Sequence, residues 1–429
     1  MEKDTLYRIW LAEALGAASR DYRVLLDSGL TPQDLYAADD AAVGAMEGIG
    51  ARARMRLCDK SLDEAYRILQ YCTEHDIDVL HVGLPGYPES LAAIDTPPVV
   101  LYCRGIMPNL NEKLAIAVVG TRNVSSYGMR TSYSLSYDLA RAGAVVVSGM
   151  ARGTDGIAAC GAMEAGGSTV AVLGCGIDIV YPAEHRKLEE AVVKHGAVIT
   201  EYAPGTGARS WQFPQRNRII SGLAQGTLVI EASAKSGSLL TAAAASEQGR
   251  RVFAVPANLD NPAAVGTNEL LRDGATLVLT AEDVLSAFPK AAGISVQPNG
   301  STRSTFSTAY LEKYGVKPST DETDAASAAT SVRVRLSSKA ERDKGRQNPR
   351  PEIDHDDAPP PAVKPVTPEP DDLTEIEKQV LSAFPVDAAV TLDAVNLPGI
   401  GIGEIIAALT MLEIRGLISA LPGGLYLRT

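Results

Sequence analysis

Paired cysteines, long apolar runs and the short signatures of several enzyme classes are all missing from this chain. Its five cysteines (Cys58, Cys72, Cys103, Cys160 and Cys175) are scattered and form no C-x-x-C pair. That excludes a closely spaced zinc knuckle and argues for reduced thiols in a cytoplasmic protein over a disulfide frame. No run is long and apolar enough to span a bilayer. Met1-Glu2-Lys3-Asp4, followed by an interrupted apolar pattern, does not read as a signal peptide, so no membrane partner is expected. There is no Walker A sequence, no G-x-S-x-G elbow and no G-x-G-x-x-G fingerprint, which removes the usual marks of P-loop, serine-hydrolase and dinucleotide-binding proteins. His75, His81, His185 and His195 share no motif with a serine or cysteine nucleophile. No catalytic residue, no metal and no cofactor is expected. Positive charge is also in short supply: the formal net charge is -12 and the pI about 5.0. A polyanion would therefore have to be met by cations focused at one place.

What is present is hydrophobic patterning over 429 residues, enough for two or three domains. Residues 1–82 read as a helical domain, with Leu6, Ile9, Trp10 and Ala14, then Leu57, Leu62, Ala65, Ile68 and Leu69, at helical spacing. Between them, Gly48-Ile49-Gly50 is either a tight helix–helix turn, the plainer reading, or a hairpin presenting backbone N–H groups to a phosphate, with Arg52, Arg54 and Arg56 behind it. Residues 83–288 alternate helical stretches with continuous apolar runs at 115–119, 144–148, 169–173, 198–201, 227–231, 251–255 and 276–279. Such runs suit strands covered on both faces, and the order predicts an α/β domain with a Rossmann-like parallel sheet. Residues 289–370 are poor in apolar side chains and end in prolines, which predicts a disordered linker. A basic run (Arg333 to Arg350) and an acidic one (Glu352 to Asp357) within it read as solvated charge. Residues 371–429 resemble a winged helix, with helix faces on Ile376, Val380, Leu381 and Phe384 and on Ile405, Ile406, Leu409 and Leu412, then a hairpin over 417–428. Its acidic balance favours contact with protein over reading of duplex DNA.

Four loops of the central region carry the chemistry. The first strand runs into Gly120-Thr121-Arg122, where a glycine lets backbone approach a phosphate and an arginine supplies a cation; the plainer reading is an ion-paired turn arginine. Gly149 to Gly156, with Arg152, follows the next strand. Phe213-Pro214-Gln215-Arg216-Asn217-Arg218 joins two guanidinium forks, which match phosphate oxygens, to a ring on which any base can stack. Lys235-Ser236-Gly237-Ser238 adds a cation and hydroxyls before a helix. Convergence of all four at one sheet edge would make a basic groove. Asp155 and Glu231, at strand ends, could act as an acid–base pair or hold the arginines. His185 reads as surface or groove wall, and Cys160 as packing.

These segments closely resemble the DNA-processing protein A (DprA, or Smf) family. The resemblance rests on Tyr87-Pro88, Pro97 to Tyr102, Val118 to Arg122, Ser148 to Asp155, Gly174 to Asp178 with Tyr181-Pro182, Phe213 to Ile220, Glu231-Ala232 with Ser236 to Thr241, and Gly266-Thr267-Asn268 with Gly274-Ala275, in family order over roughly 200 residues. It implies a non-catalytic protein that binds single-stranded DNA, loads the RecA recombinase during natural transformation, and forms a homodimer through the Rossmann-like domain. Arg122, Arg216, Arg218 and Phe213 fall on family DNA-pocket positions, with Lys235 less strongly supported. Leu270, Leu271 and Val278 could form the dimer face or simply core. Cys160 stands where the family usually has histidine, Ala257 where it has glycine, and Ser210 where some relatives place lysine. Two other readings stay open: a Rossmann-like nucleotide phosphoribohydrolase, whose P-G-G-x-G-T-x-x-E motif is absent, and a scaffold without nucleic acid.

Overall fold

The computed structural model describes residues 2–289 and 308–316, and from the C-terminal region 374–383, 390–391, 405, 408–409, 412, 417–421 and 425–428. The chain divides into two units, residues 1–339 and 340–429. Six helices open the first unit: α1 (Glu2–Leu15), α2 (Asp21–Ser28), α3 (Pro32–Ala37), α4 (Asp40–Gly44), α5 (Ala51–Cys58) and α6 (Asp63–Glu74). They close on Ile9, Leu11, Leu35, Val43 and Leu57, each at most 1% exposed. The Gly48-Ile49-Gly50 segment is the tight turn. Ile49 is buried, and the Gly50 N–H donates to Asp21 Oδ1 at 2.9 Å. A carboxylate thus takes up the Gly50 N–H that a phosphate would need, as the plainer reading of the segment requires.

The nine-stranded sheet comprises β1 (Asp78–Leu80), β2 (Leu101–Gly105), β3 (Ala115–Val119), β4 (Val145–Ser148), β5 (Thr169–Val172), β6 (Gly196–Thr200), β7 (Gly226–Val229), β8 (Arg251–Ala254) and β9 (Thr276–Leu277). Their spatial order is β1-β2-β6-β5-β4-β3-β7-β8-β9. β3 to β9 run parallel; β1 and β2 add an antiparallel edge beside β6. That edge begins inside the stretch whose periodicity reads as helical, because three residues are too few for strand alternation to show. Helices α7 (Glu89–Ala92), α8 (Ser126–Arg141), α9 (Thr154–Glu164), α10 (Arg186–His195), α11 (Gln212–Leu223), α12 (Ser238–Glu247), α13 (Val265–Arg272) and α14 (Ala281–Leu285) complete the layers.

Alternation along β3 explains the two cores. Ala115, Ala117 and Val119 pack with Ile219, Ile220 and Leu223 of α11 and Ala242 and Ala245 of α12. Ile116 and Val118 face the opposite way, toward Leu135 and Leu139 of α8 and Ala158 and Ala162 of α9. Period-two geometry sends successive side chains to opposite faces, so a strand covered on both sides is apolar nearly throughout, as β3 is at all five positions. Leu270 and Val278, offered above as a dimer face, are at most 3% exposed and belong to these cores. The apolar side chains that do reach solvent beside the edge strand β9 are Leu277 (48%) and Leu279 (70%).

The stretch read as a disordered linker contains a further helix, α15 (Thr308–Lys313). Tyr310, Leu311, Tyr314 and Val316 follow helical spacing closely enough to present one apolar side, and they pack into the cluster that holds Ile157, Cys160 and Leu188. The basic run, the acidic run and the prolines lie outside the described residues.

In the second unit, α16 (Glu375–Ala383) accompanies a three-stranded antiparallel sheet of β10 (Val390–Thr391), β11 (Ile418–Leu421) and β12 (Leu425–Arg428). The β11–β12 register pairs Leu421 with Leu425, as the hairpin reading requires. Val380, Leu381, Ile405, Leu409, Leu412 and Ile418 form its core; Phe384 and Ile406 lie outside the described residues. Among the described residues no helix is long and apolar enough to cross a membrane.

Candidate nucleic-acid interface

From β3 the chain proceeds outward through β4, β5 and β6, then returns to place β7 on the other side of β3. The strand order therefore reverses between β3 and β7, and in open α/β sheets ligands collect in the crevice beyond that point. Val119 and Val229 are register partners, so the loops after them emerge side by side. The Thr121 N–H donates to Glu231 O at 2.6 Å, and the Thr154 N–H and hydroxyl donate to Thr121 O at 3.2 and 3.1 Å. Three loops are thereby laced into one rim.

An open groove of about 770 Å³ lies along this rim. Ten of the twelve residues named from the sequence line it: Gly120, Thr121, Arg122, Phe213, Arg216, Asn217, Lys235, Ser236, Gly237 and Ser238. Arg122 is half-buried and makes no ion pair among the described residues. Its guanidinium carbon sits 5.7 Å from the Phe213 ring centroid, and that of Arg216 sits 5.9 Å away. Both distances fall within cation–π range. Tyr181 comes within 5.2 Å of the same ring, centroid to centroid. Asn217 Nδ2 donates to Gly237 O at 3.3 Å, tying α11 to the loop that carries the exposed Lys235.

Arg216 forms the floor. It is 3% exposed, and its Nη1 donates to Gly149 O at 2.6 Å and to Val172 O, while Nε has no partner. Gly149 is required here, since a Cβ would lie 2.4 Å from Arg216 Nη1. Burial pushes the guanidinium down to about 10, with the neighbouring Asp155 opposing that fall; it stays cationic at neutral pH. Asp155 is buried too, and burial raises its carboxyl against the pull of Arg216. Its Oδ2 accepts from the Gly149 and Ala151 N–H groups at 3.1 and 3.3 Å, which holds the loop after β4.

Several residues stand where the sequence reading did not put them. Arg218 is outside the groove. Two helical positions from Arg216 is a rotation of about 200°, and Arg218 pairs instead with Glu201 at 2.6 Å. Arg152 sits at the groove's margin with Arg122, Tyr181 and Phe213, its Nε donating to Glu184 Oε1 at 2.5 Å. Glu231 neither holds an arginine nor faces Asp155 as an acid–base partner. It is fully buried and accepts from the Ser125 N–H and hydroxyl at 2.9 and 2.8 Å and from Asn261 at 3.2 Å, fastening the start of α8. His185 is no surface residue. It is 1% exposed, its Nδ1 lies 3.0 Å from Met150 O, and burial lowers its basicity. Cys160 is fully buried, in keeping with packing. Tyr181, 41% exposed on the groove wall, had no role assigned from sequence. Its Tyr-Pro pair was a visible signal, but only the fold brings it to Phe213.

A family model described as DNA recombination-mediator protein A matches residues 78–289, and one described as DprA winged helix domain matches residues 363–424. DNA processing protein DprA of Bacillus subtilis is 40% identical over 224 residues, 52% of this chain and 75% of that protein. Protein Smf of Synechocystis sp. is 29% identical over 404 residues, 92% of each chain. The X-ray structure of DNA processing protein A from Streptococcus pneumoniae superposes with a TM-score of 0.58 at 30% identity, over 68% of this chain and 99% of that one.

Proposed function

Since this chain belongs to the DprA/Smf family of DNA-processing proteins, we propose that it binds single-stranded DNA in the groove at the β3–β7 switch point and passes that DNA to the RecA recombinase in natural transformation. The observation that carries the reading is one aromatic ring, Phe213, with two arginines in cation–π range of it, one of which, Arg122, makes no ion pair among the described residues. A base can stack on such a surface whatever its identity, while guanidinium and lysine track the backbone. Catalysis is not proposed. Both carboxylates at the strand ends accept hydrogen bonds from the protein's own N–H and O–H groups. The family description as a recombination mediator supports the recombinase step.

Arg122 separates binding from folding. Arg122→Ala is expected to weaken oligothymidylate binding roughly 10- to 150-fold, the range of about 1.5–3 kcal/mol for a charge-assisted contact. The salt dependence becomes shallower by about one phosphate's share. The melting temperature stays within a few degrees of the wild type, because the loss is one cation–π contact on the groove wall, worth about 0.5–1 kcal/mol, with no ion pair broken among the described residues. Stimulation of RecA filament growth on single strands drops in step. A normally folded Arg122→Ala protein with wild-type affinity would exclude the groove, as would tighter binding of the wild type to blunt duplex.

We also propose self-association through the β9 edge, where Leu277 and Leu279 are exposed. Exposed apolar side chains at a sheet edge invite pairing. Sedimentation at micromolar concentration should show a dimer that Leu277→Asp/Leu279→Asp converts to monomer. A wild-type monomer, or a double variant that still dimerises, removes this face.

A further inference from the structure

Residues 308–316 lie on the back of the groove's margin. Leu311 and Val316 are 3% and 2% exposed, in the same apolar cluster as Ile157 and Cys160 of α9 and Leu188 of α10. Lys313 Nζ stands 5.0 and 5.6 Å from the Tyr314 and Tyr310 rings, bracing the short helix from outside. Gly315 has φ +72°, and a Cβ there would lie 2.8 Å from Glu184 O, so the strand of backbone after α15 rests directly on Glu184. Val316 Cγ1 and His185 Cε1 both crowd the point where Gly156 would carry a Cβ, at 3.3 and 3.0 Å.

The two residues beneath this segment reach the groove. Glu184 accepts from Arg152, which shares the margin with Arg122 and Phe213. His185 is hydrogen-bonded to Met150 O at 3.0 Å. Met150 is held at φ +59°, uncommon for a side chain of this size. It directly follows Gly149, whose carbonyl receives Arg216. Residues 315–316 thus touch 184–185, which in turn hydrogen-bond the Arg152 side chain and the backbone next to the Arg216 acceptor.

We propose that residues 308–316 are a strap that positions the Arg152 margin of the groove, and that undocking of the strap loosens the grip on single strands. Leu311, Gly315 and Val316 act as positioning residues through Glu184 and His185. Four apolar side chains secure nine residues, so the strap opens at lower free energy than the sheet beneath it. The inference rests on the groove being the DNA site, and its test separates the two.

The test uses the full chain carrying Leu311→Glu/Val316→Glu, with Leu311→Ile/Val316→Ile as the conservative partner. Docking is read without DNA, by alkylation of Cys160. That thiol is fully buried beside Tyr310 and should react only when the strap is off. Binding is read with oligothymidylate over a salt series. The glutamate pair is expected to expose Cys160 and weaken binding about 2- to 30-fold, the span of indirect coupling in folded domains. It should also lower the salt slope, and add nothing further in an Arg152→Ala background. The isoleucine pair should restore both readouts. An exposed Cys160 with unchanged affinity, while Arg122→Ala still weakens binding, overturns the strap and leaves the groove. A Cys160 that stays protected in the glutamate pair overturns the docking. Unchanged affinity in both the Arg122 and the strap variants overturns the groove and the strap together.

Discussion

Arg218→Ala is expected to destabilise this protein strongly while leaving the DNA affinity of its folded fraction unchanged. The guanidinium straddles Glu201, Nη1 to Oε1 at 2.7 Å and Nη2 to Oε2 at 2.6 Å, with side-chain exposures of 11% and 4%. Its Nε also donates to Thr96 O at 2.9 Å, and Glu201 Oε2 accepts from the Ala18 N–H at 3.2 Å. One carboxylate thus joins α11, the end of β6 and the N-terminal helices. Removing its cation leaves a buried charge, which costs about 3–5 kcal/mol out of a total stability of roughly 5–15 kcal/mol. At roughly 2–4 °C per kcal/mol, the melting temperature should fall by about 10 °C. Thermal melts beside titrations corrected for active fraction decide the matter. A stable Arg218→Ala protein with weakened DNA binding would return this arginine to the groove.

Arg216→Ala is expected to lose both stability and binding. Two carbonyls, Gly149 and Val172, accept hydrogen bonds from this one side chain, and its charge also pulls down the buried Asp155 carboxyl. Without the cation the buried Asp155 loses the largest electrostatic pull on its carboxyl, keeping the Gly149 and Ala151 N–H donors, and the Gly149 and Val172 carbonyls lose a donor, which costs about 1–3 kcal/mol for each buried group left unsatisfied. The Asp155 carboxyl moves up, so the variant should recover part of the loss as pH falls. The sign follows from its direction: a carboxyl raised in the folded state binds its proton there first, so acid favours the fold. Phe213 loses one of its two cations and the loop after β4 loses its anchor, so single-strand affinity of whatever remains folded should fall further than for Arg122→Ala. An Arg216→Ala protein that melts like the wild type, or binds like it, would contradict the floor assigned to this residue.

The three arginines at 122, 216 and 218 show how much of the site could be read before the fold was known. Their types, the ring at 213 and the glycines after β3 and β4 are local facts of sequence. They identified ten residues that share one groove. The difference between Arg216 and Arg218 is not local. Both lie on α11, and helical rotation turns one under the sheet edge and the other away from it. Glu201, Thr96 and Asp155, which decide what each does, come from elsewhere in the chain. Glu231 was misread for the same reason, since its partners Ser125 and Asn261 are 106 and 30 positions distant.

Strand identity in the parallel core was determined by the sequence alone. A strand buried on both faces reads as a near-continuous apolar run, broken here by hydroxyls such as Thr169, Thr200 and Thr227, and that signature needs no knowledge of neighbours. The hairpin of the C-terminal unit and the tight turn at Gly48-Ile49-Gly50 were legible for similar reasons of short-range geometry. Only the tertiary structure decided the antiparallel edge of β1 and β2, the docking of residues 308–316 and the burial of His185. It also decided which cations face the groove. Each depends on a partner brought close by the order of strands, and burial, ion pairing and hydrogen bonding act across space whatever the separation along the chain.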